Sequence, residues 1–255
     1  MSTKKLSTTQ FREQLLNIMA GKHHWAWSYF SGPTMTKARL KIHFQQEYAV
    51  YVRDFPVFLA RIHGKNPPLV VRRMLAENIF EEDTGKLSLG TSHPELFLKM
   101  MRGMGFRSRD FERIQMLPAT RRYRAWLDRI SNSPDWVLGA AVLTIFVEGS
   151  VNDRQELFYP AKSKTRRDIH EKIKHHPLVQ YQGVSPQAMD LIRAHQMVEA
   201  GHRHDAYAMV THYAGSRSHQ DKILAAVKHT LDLWLRYRDG VARACGLQKN
   251  KSEIR

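Results

Sequence analysis

Apolar residues recur at helical spacing along almost the whole chain, and this periodicity constrains the fold more than any other feature. Between residues 34 and 63, for example, large apolar side chains fall on one side of a helix at Leu40, Phe44, Tyr48, Tyr51 and Val52. The sequence contains no convincing run of alternating β-branched residues bounded by hairpin turns. We therefore predict an all-α fold.

Capping residues, prolines and glycines give the expected helix boundaries. The first predicted helix begins at a Thr8 or Thr9 cap and ends near Ala20, and the second spans 23–30. The third runs from a cap within 34–36 to 63, with a bend at Pro56. Further helices are predicted over 68–84, 94–104, 118–130, 133–157, 186–213 and 218–245. The basic stretch 162–176 is expected to be helix plus surface loop. No linker, repeat or low-complexity segment divides the chain, so we expect a single helical bundle domain over residues 1–255, with 249–255 as a frayed tail.

The chain has one cysteine, Cys245. One thiol cannot form an intrachain disulfide or a cysteine-based zinc cage, so any bound metal must be held by histidine and carboxylate. The N-terminus lacks an apolar run, and the apolar stretch 137–147 is about half a membrane span. We therefore expect a cytoplasmic protein without a membrane partner.

The chain is strongly basic, with 40 Lys and Arg against 24 Asp and Glu, a formal charge of +16 and a pI near 10.1. Such a charge attracts polyanions. The basic residues are spread along the chain, however, and no zinc-finger spacing, RNP motif or basic-region heptad accompanies them. A solvated basic surface is the favoured interpretation, and the alternatives are attraction of anionic small molecules or of nucleic acid. With charge as the one feature in its favour, nucleic acid is not an expected partner.

The sharpest local motif is His195-x3-Glu199-x2-His202. At about 100° per residue these offsets place all three side chains on one helical face. Two imidazoles and a carboxylate on one stripe suit iron, manganese or zinc. The alternative is chance spacing of solvated or core histidines, because the chain has 14 of them.

Glu148 ends the apolar run 140–147 and is a second candidate ligand. A carboxylate that continues so apolar a helix is costly to bury without a cation. The alternative is that Glu148 marks the point where the helix reaches solvent. Glu156, two turns later on a similar face, is the competing carboxylate.

The acidic end of one predicted helix supplies a third group, with Glu77, Glu81, Glu82 and Asp83 followed across a loop by His93. Carboxylates at a helix end and a histidine at the next helix start can converge on a metal. The alternative is a solvated acidic helix terminus.

The order of these groups resembles that of the haem-oxygenase-like diiron oxidases, which share a helical fold with TenA, PqqC and the CADD-type 4-aminobenzoate synthases. The resemblance covers most of the chain, through the segments 32–37, 54–56, 77–82 and 93–96, Glu148 and the histidine-bearing helix near 195–202. It implies a haem-oxygenase-like helical bundle in which two iron ions are held by Glu82, His93, Glu148, His195, Glu199 and His202. Manganese is an alternative metal, and Glu81 or Glu156 could replace one of the carboxylates.

The sequence departs from the family pattern at several places. Glu199 stands where the family usually has aspartate, and the loop before His93 and the stretch from Glu148 to His195 are longer than in CADD-type proteins. Trp27 stands where those synthases place the tyrosine that supplies the product ring, with Tyr29 nearby. Their catalytic lysine has no counterpart soon after Glu148, since the next lysine is Lys162.

The resemblance implies an oxygenase or oxidase that activates O2 to oxidise a small carboxylate- or amino-acid-type metabolite, with an external electron donor and a homodimer left open. The alternatives are self-sacrificing 4-aminobenzoate synthesis, a metal-free enzyme like TenA or PqqC, and a basic nucleic-acid-binding protein. A set of aromatic residues either lines the substrate pocket or packs in the core: Trp25, Trp27, Tyr29, Tyr48 and Tyr51.

Overall fold

The computed structural model describes residues 4–159 and 165–249, apart from the side chains of residues 198–202. Its α-helices are α1 (Thr8–Met19), α2 (Trp27–Phe30), α3 (Lys37–Glu47), α4 (Phe55–His63), α5 (Leu69–Thr84), α6 (His93–Gly103), α7 (Pro118–Ser131), α8 (Trp136–Ala140), α9 (Asp153–Phe158), α10 (Arg166–Lys174), α11 (Pro177–Gln182), α12 (Asp190–Tyr213) and α13 (Arg217–Ala244). π-helices span Tyr48–Val52 and Ala141–Val147, and 3₁₀ turns span Ser108–Phe111 and Pro186–Ala188.

The all-α prediction is confirmed, and the described residues contain no strand. The long helix α13 packs against α7, α1 and α3, while α4 packs against α5 and α7. The π-helix Ala141–Val147 lies at the centre, with α12 on one side and α13 on another. Its residues 141–146 are all buried, so the most apolar segment of the sequence forms the middle of the core.

Several boundaries lie where the sequence places them, because the capping chemistry is local. Thr36 caps α3 by accepting a hydrogen bond from the backbone nitrogen of Arg39 at 3.3 Å. Pro118 is the first residue of α7, and Gly85 ends α5 in the left-handed conformation with φ +61°.

The prediction of one continuous helix over 133–157 is wrong, because the structure has α8, a π-helix and, after a break, α9 in this region. Asp135, not Ser133, caps α8 by accepting from the backbone nitrogen of Val137 at 3.1 Å. The chain then leaves helical geometry after the π-helix and re-enters it at α9. Lys22 satisfies the carbonyls at this break, since its Nζ donates to the oxygens of Phe146, Val147 and Gly149. Glu148 therefore lies at a helix end, and Glu156 lies on a different helix.

Other boundaries also differ from the prediction. The expected helix 34–63 is divided by the π-helix Tyr48–Val52 and a break at Asp54, so Pro56 lies in the first turn of α4 instead of at a bend. Ser7 caps α1 through a capping box with Gln10, and α2 covers only the end of the predicted segment 23–30. In the tail expected to fray, residues 250–255 lie outside the described part of the chain.

Within the described residues, no helix combines the length and apolar character needed to cross a membrane.

Candidate metal centre

The turn between α5 and α6 brings Glu81 and Glu82 next to His93. Gly85 adopts φ +61°, and a Cβ atom there would lie 2.1 Å from the carbonyl oxygen of Thr91. Only glycine allows the returning loop to pass this close to the end of α5. The loop then delivers His93 as the first residue of α6, capped by Ser92.

His93 is buried between two carboxylates. Its Nε2 lies 3.2 Å from Oε1 of Glu81, and its Nδ1 lies 2.9 Å from Oε1 of Glu82. Burial opposes protonation of the imidazole, but Glu82 and Glu81 outweigh it and raise the pKa of His93. Glu81 also accepts hydrogen bonds from the backbone nitrogen of Leu87 at 2.8 Å and from the hydroxyl of Ser88.

These contacts indicate different roles for Glu81 and Glu82, one orienting His93 and the other a candidate metal ligand. Glu81 is held by the loop and accepts from Nε2 of His93 when that nitrogen carries the proton. Nδ1 of His93 points to the other carboxylate and lies 2.9 Å from Oε1 of Glu82. A metal-ligating histidine typically donates its second nitrogen to a carboxylate, and Oε1 of Glu81 lies 3.2 Å from Nε2 in the position for such a bond. Nδ1 of His93 and the carboxylate of Glu82 are then left for the metal.

Glu148 lies at the end of the central π-helix and lines the same cavity as Glu82 and His93. Its Oε1 accepts a hydrogen bond from Nδ2 of Asn78 at 2.7 Å, and its backbone carbonyl accepts from Nη2 of Arg203, also at 2.7 Å. Asn78 lies on α5, one turn before Glu81 and Glu82. The side chain is partly buried, so Glu148 neither emerges fully into solvent nor enters the core unpaired.

His195 completes the described set from α12. Its ring centroid lies 4.9 Å from that of His93, with the two planes at 69°. Four of the six predicted ligands, Glu82, His93, Glu148 and His195, line one cavity of about 510 Å³. The side chains of Glu199 and His202 lie outside the described residues, although α12 continues through both positions.

The donor set on this cavity consists of imidazole and carboxylate groups, which fits iron or manganese. The described side chains do not form a closed group of three or more His, Cys, Asp or Glu residues able to hold an ion by themselves. Convergence of all six residues on two ions therefore stays a prediction.

The competing carboxylate Glu156 does not line the cavity. Its side chain is 50% exposed and lies 3.5 Å from Nε of Arg203. Among the aromatic residues considered from the sequence, Trp27 and Tyr51 line the cavity, whereas Tyr48 stacks on Phe97 in the core at 5.3 Å.

Sequence reasoning missed a buried polar network in the cavity wall, centred on Glu47. Glu47 accepts from the hydroxyl of Tyr51 and from Nη2 of Arg238 at 2.9 Å, and it lies 3.2 Å from Nε2 of His43. Burial alone would raise the pKa of Glu47, but these partners outweigh it and hold the pKa well below its usual range. The four-residue spacing of His43 and Glu47 on one helix could have indicated part of this network from the sequence. Arg238 reaches the network only because α13 packs against this part of the fold.

Gly85→Ala should lower the free energy of unfolding by about 3–5 kcal/mol, because the change adds left-handed strain and a backbone clash. Gly90→Ala is the matched control, since Gly90 has φ +73° but no atom within 4 Å of the place that a Cβ would take. It should cost only about 1–2 kcal/mol. Urea denaturation measures both, and equal losses would show that the approach to Thr91 does not constrain the turn.

The helical architecture is a haem-oxygenase-like fold, as its similarity to two solved structures shows. A TenA homologue from Pseudomonas syringae superimposes with a TM-score of 0.68 at 14% identity, covering 92% of each chain. A Shewanella denitrificans domain with a heme oxygenase-like fold gives a TM-score of 0.60 at 19% identity, covering 93% of this chain and 89% of that one.

The chain belongs to a family of iron-containing redox enzymes, whose model matches residues 42–235. Two relatives are 4-aminobenzoate synthases. The one from Nitrosomonas europaea is 20% identical over 249 residues, covering 92% of each chain, and the one from Chlamydia muridarum is 24% identical over 220 residues, covering 85% of this chain and 83% of the relative.

Proposed function

We propose that this protein is a non-haem di-iron oxidase or oxygenase that uses O2 to oxidise a small carboxylate- or amino-acid-type metabolite. The observation that carries the proposal is the meeting of Glu82, His93, Glu148 and His195 on one cavity. These residues come from three helices and the end of a π-helix segment, so their meeting is a property of the fold rather than of sequence proximity. Membership in a family of iron-containing redox enzymes supports the same conclusion.

Two of the described ligands have a neighbour that orients them. Glu81 holds His93 through Nε2, and Asn78 holds Glu148 through its amide. Such partners fix the direction of the ligating atoms and raise metal affinity. Glu199 and His202 would complete the set from the His195 face of α12.

Bound iron would supply the electron-transfer and oxygen chemistry, and the rest of the cavity would position the substrate. Apolar side chains that include Phe97, Met100 and Leu191 line it and limit the access of water. We also expect an external electron donor, while a homodimer and the use of manganese are further possibilities for testing.

Oxygen consumption tests this function. Protein loaded anaerobically with Fe(II) and supplied with reductant should consume O2 faster when a suitable carboxylate is added from a panel of amino acids and small organic acids. His195→Ala should abolish that increase, because it removes a ligand, whereas His229→Ala on the exposed face of α13 should retain it. Stimulation that is identical in His195→Ala would contradict the proposal.

Self-sacrificing 4-aminobenzoate synthesis is the second candidate, because two relatives carry that name. Trp27 occupies the cavity wall at the position where a donor tyrosine is expected, and Tyr29 is not among the residues that line the cavity. Tyr51 does line it, with its hydroxyl bound to Glu47. If the protein consumed a tyrosine of its own, Tyr51 would be the residue to examine.

A further inference from the structure

A second cavity lies beside the candidate metal centre and contains two cationic side chains in its wall. It has a volume of about 330 Å³. Its charged and aromatic lining includes Lys22, Glu47, Arg238, Trp27, Tyr51 and Trp234. Trp27, Glu47, Tyr51 and Val147 line the larger cavity as well, so the two spaces share a wall.

Arg238 is the residue of this cavity with unused hydrogen-bonding capacity. Its side chain is only 4% exposed, and its Nη2 donates to Oε1 of Glu47 at 2.9 Å and to the hydroxyl of Tyr51 at 3.2 Å. Its Nε and Nη1 make no hydrogen bond with any described residue. Buried donors without acceptors are costly, so these N–H groups have a demand for an acceptor that the described residues do not meet.

The rings around Arg238 fix the plane of the guanidinium. Its Cζ lies 4.6 Å from the ring centre of Trp27 and 5.3 Å from that of Trp234. Aromatic rings stabilise the cation without accepting its in-plane N–H groups as a carboxylate does. The two tryptophan rings therefore hold the planar guanidinium group of Arg238 in a fixed orientation.

The other two charged residues of this lining, Glu47 and Lys22, already have partners. Glu47 is the one carboxylate in the described lining, and its oxygens are already used by Arg238, Tyr51 and His43. Lys22 adds a second cationic group, bound to backbone carbonyls rather than to a carboxylate. Burial lowers the pKa of Lys22 to about 7, and the negative charge of Asp153 opposes this shift.

We propose that this cavity binds the carboxylate of a small, flat, apolar acid, with Nε and Nη1 of Arg238 donating to the carboxylate. The body of the acid lies against Trp27 and Val147, which also line the candidate metal centre. This assignment rests on the proposed function in one respect: it names the substrate class of the adjoining oxidation site.

Benzoate is the probe, and its neutral isostere benzamide is the control ligand. Calorimetric titration uses the full chain freed of metal with a chelator, so that carboxylate coordination to iron cannot contribute. Benzoate should bind more tightly than benzamide. Arg238→Lys should weaken benzoate binding by at least about tenfold, because lysine keeps the charge but loses the fork that donates to a carboxylate. Arg236→Lys, a neighbour on α13 that does not line the cavity, should leave it unchanged.

Glu47→Gln should strengthen benzoate binding, whereas a folding defect would weaken it. The substitution removes the negative charge of Glu47 next to Arg238, which repels a bound carboxylate, so benzoate should bind about tenfold more tightly. Equal affinities for benzoate and benzamide, or wild-type benzoate affinity in both Arg238→Lys and Glu47→Gln, would overturn the assignment.

Fe(II) uptake by the same preparation separates this assignment from the proposed function. Absent benzoate binding with normal Fe(II) uptake overturns the carboxylate site alone. Benzoate binding with the predicted variant effects and no Fe(II) uptake supports the carboxylate site and refutes the di-iron function.

Discussion

Glu82→Gln should reduce the Fe(II) content of anaerobically loaded protein from about two ions per chain to about one or fewer. Glutamine keeps the size of the side chain but loses the negative charge and one of the two oxygens that bind a metal. Glu82 lies on the cavity wall, and its Oε1 is 2.9 Å from Nδ1 of His93. The loss should therefore be local to the site and should not depend on unfolding.

Glu156→Gln is the matched control for this experiment. Glu156 is also a glutamate, and it was the alternative to Glu148 as a candidate ligand in the sequence. Its side chain is half exposed and lies next to Arg203, outside the cavity. It should retain the wild-type Fe(II) content. Titration with Fe(II) under anaerobic conditions, followed by desalting and metal analysis, measures both variants. Equal iron content in the two variants would remove Glu82 from the ligand set.

His195→Ala extends the test to the other side of the cavity. Its imidazole approaches His93 from α12, so its removal should also lose at least about one ion. A wild-type content near zero would instead favour a metal-free enzyme.

The fold could be predicted from the sequence because its determinants are local. Threonine caps, proline starts and the glycine stop at Gly85 each act within one helical turn. The π-helices could not be predicted in this way. Ala141–Val147 is almost uniformly apolar, so its sequence carries no periodic signal that separates a wide helix from an ordinary one.

The sequence also predicted which residues meet on the cavity for four of the six candidate ligands, and their role as ligands stays a prediction. Glu82, His93, Glu148 and His195 could be selected by their order along the chain, and the structure places them on one cavity. The position of Glu156 outside the cavity was not predictable, because it follows from the break after Glu148, where Lys22 reaches the helix end from a distant part of the chain. Arg238 was not predictable, because its partner Glu47 lies 191 residues away.

The two functional candidates differ most sharply in turnover. An oxidase with an external substrate should complete many cycles, so product per chain should exceed one by at least about tenfold. A self-sacrificing synthase cannot exceed one product per chain, because each product consumes a side chain. Fe(II)-loaded protein, reductant and O2 without added substrate should therefore leave the intact mass unchanged and release no 4-aminobenzoate.

Tyr51→Phe makes this comparison specific to one residue. Tyr51 is a described tyrosine on the cavity wall, and its hydroxyl binds Glu47. In an oxidase the variant should keep multiple turnover, with a changed KM because Tyr51 also lines the cavity that contains Arg238. Tyr29→Phe is the control, since Tyr29 packs against Trp25 at 6.0 Å and is not among the lining residues. Formation of 4-aminobenzoate with a matching loss of side-chain mass at Tyr51, abolished by Tyr51→Phe and retained in Tyr29→Phe, would refute the oxidase and establish the synthase.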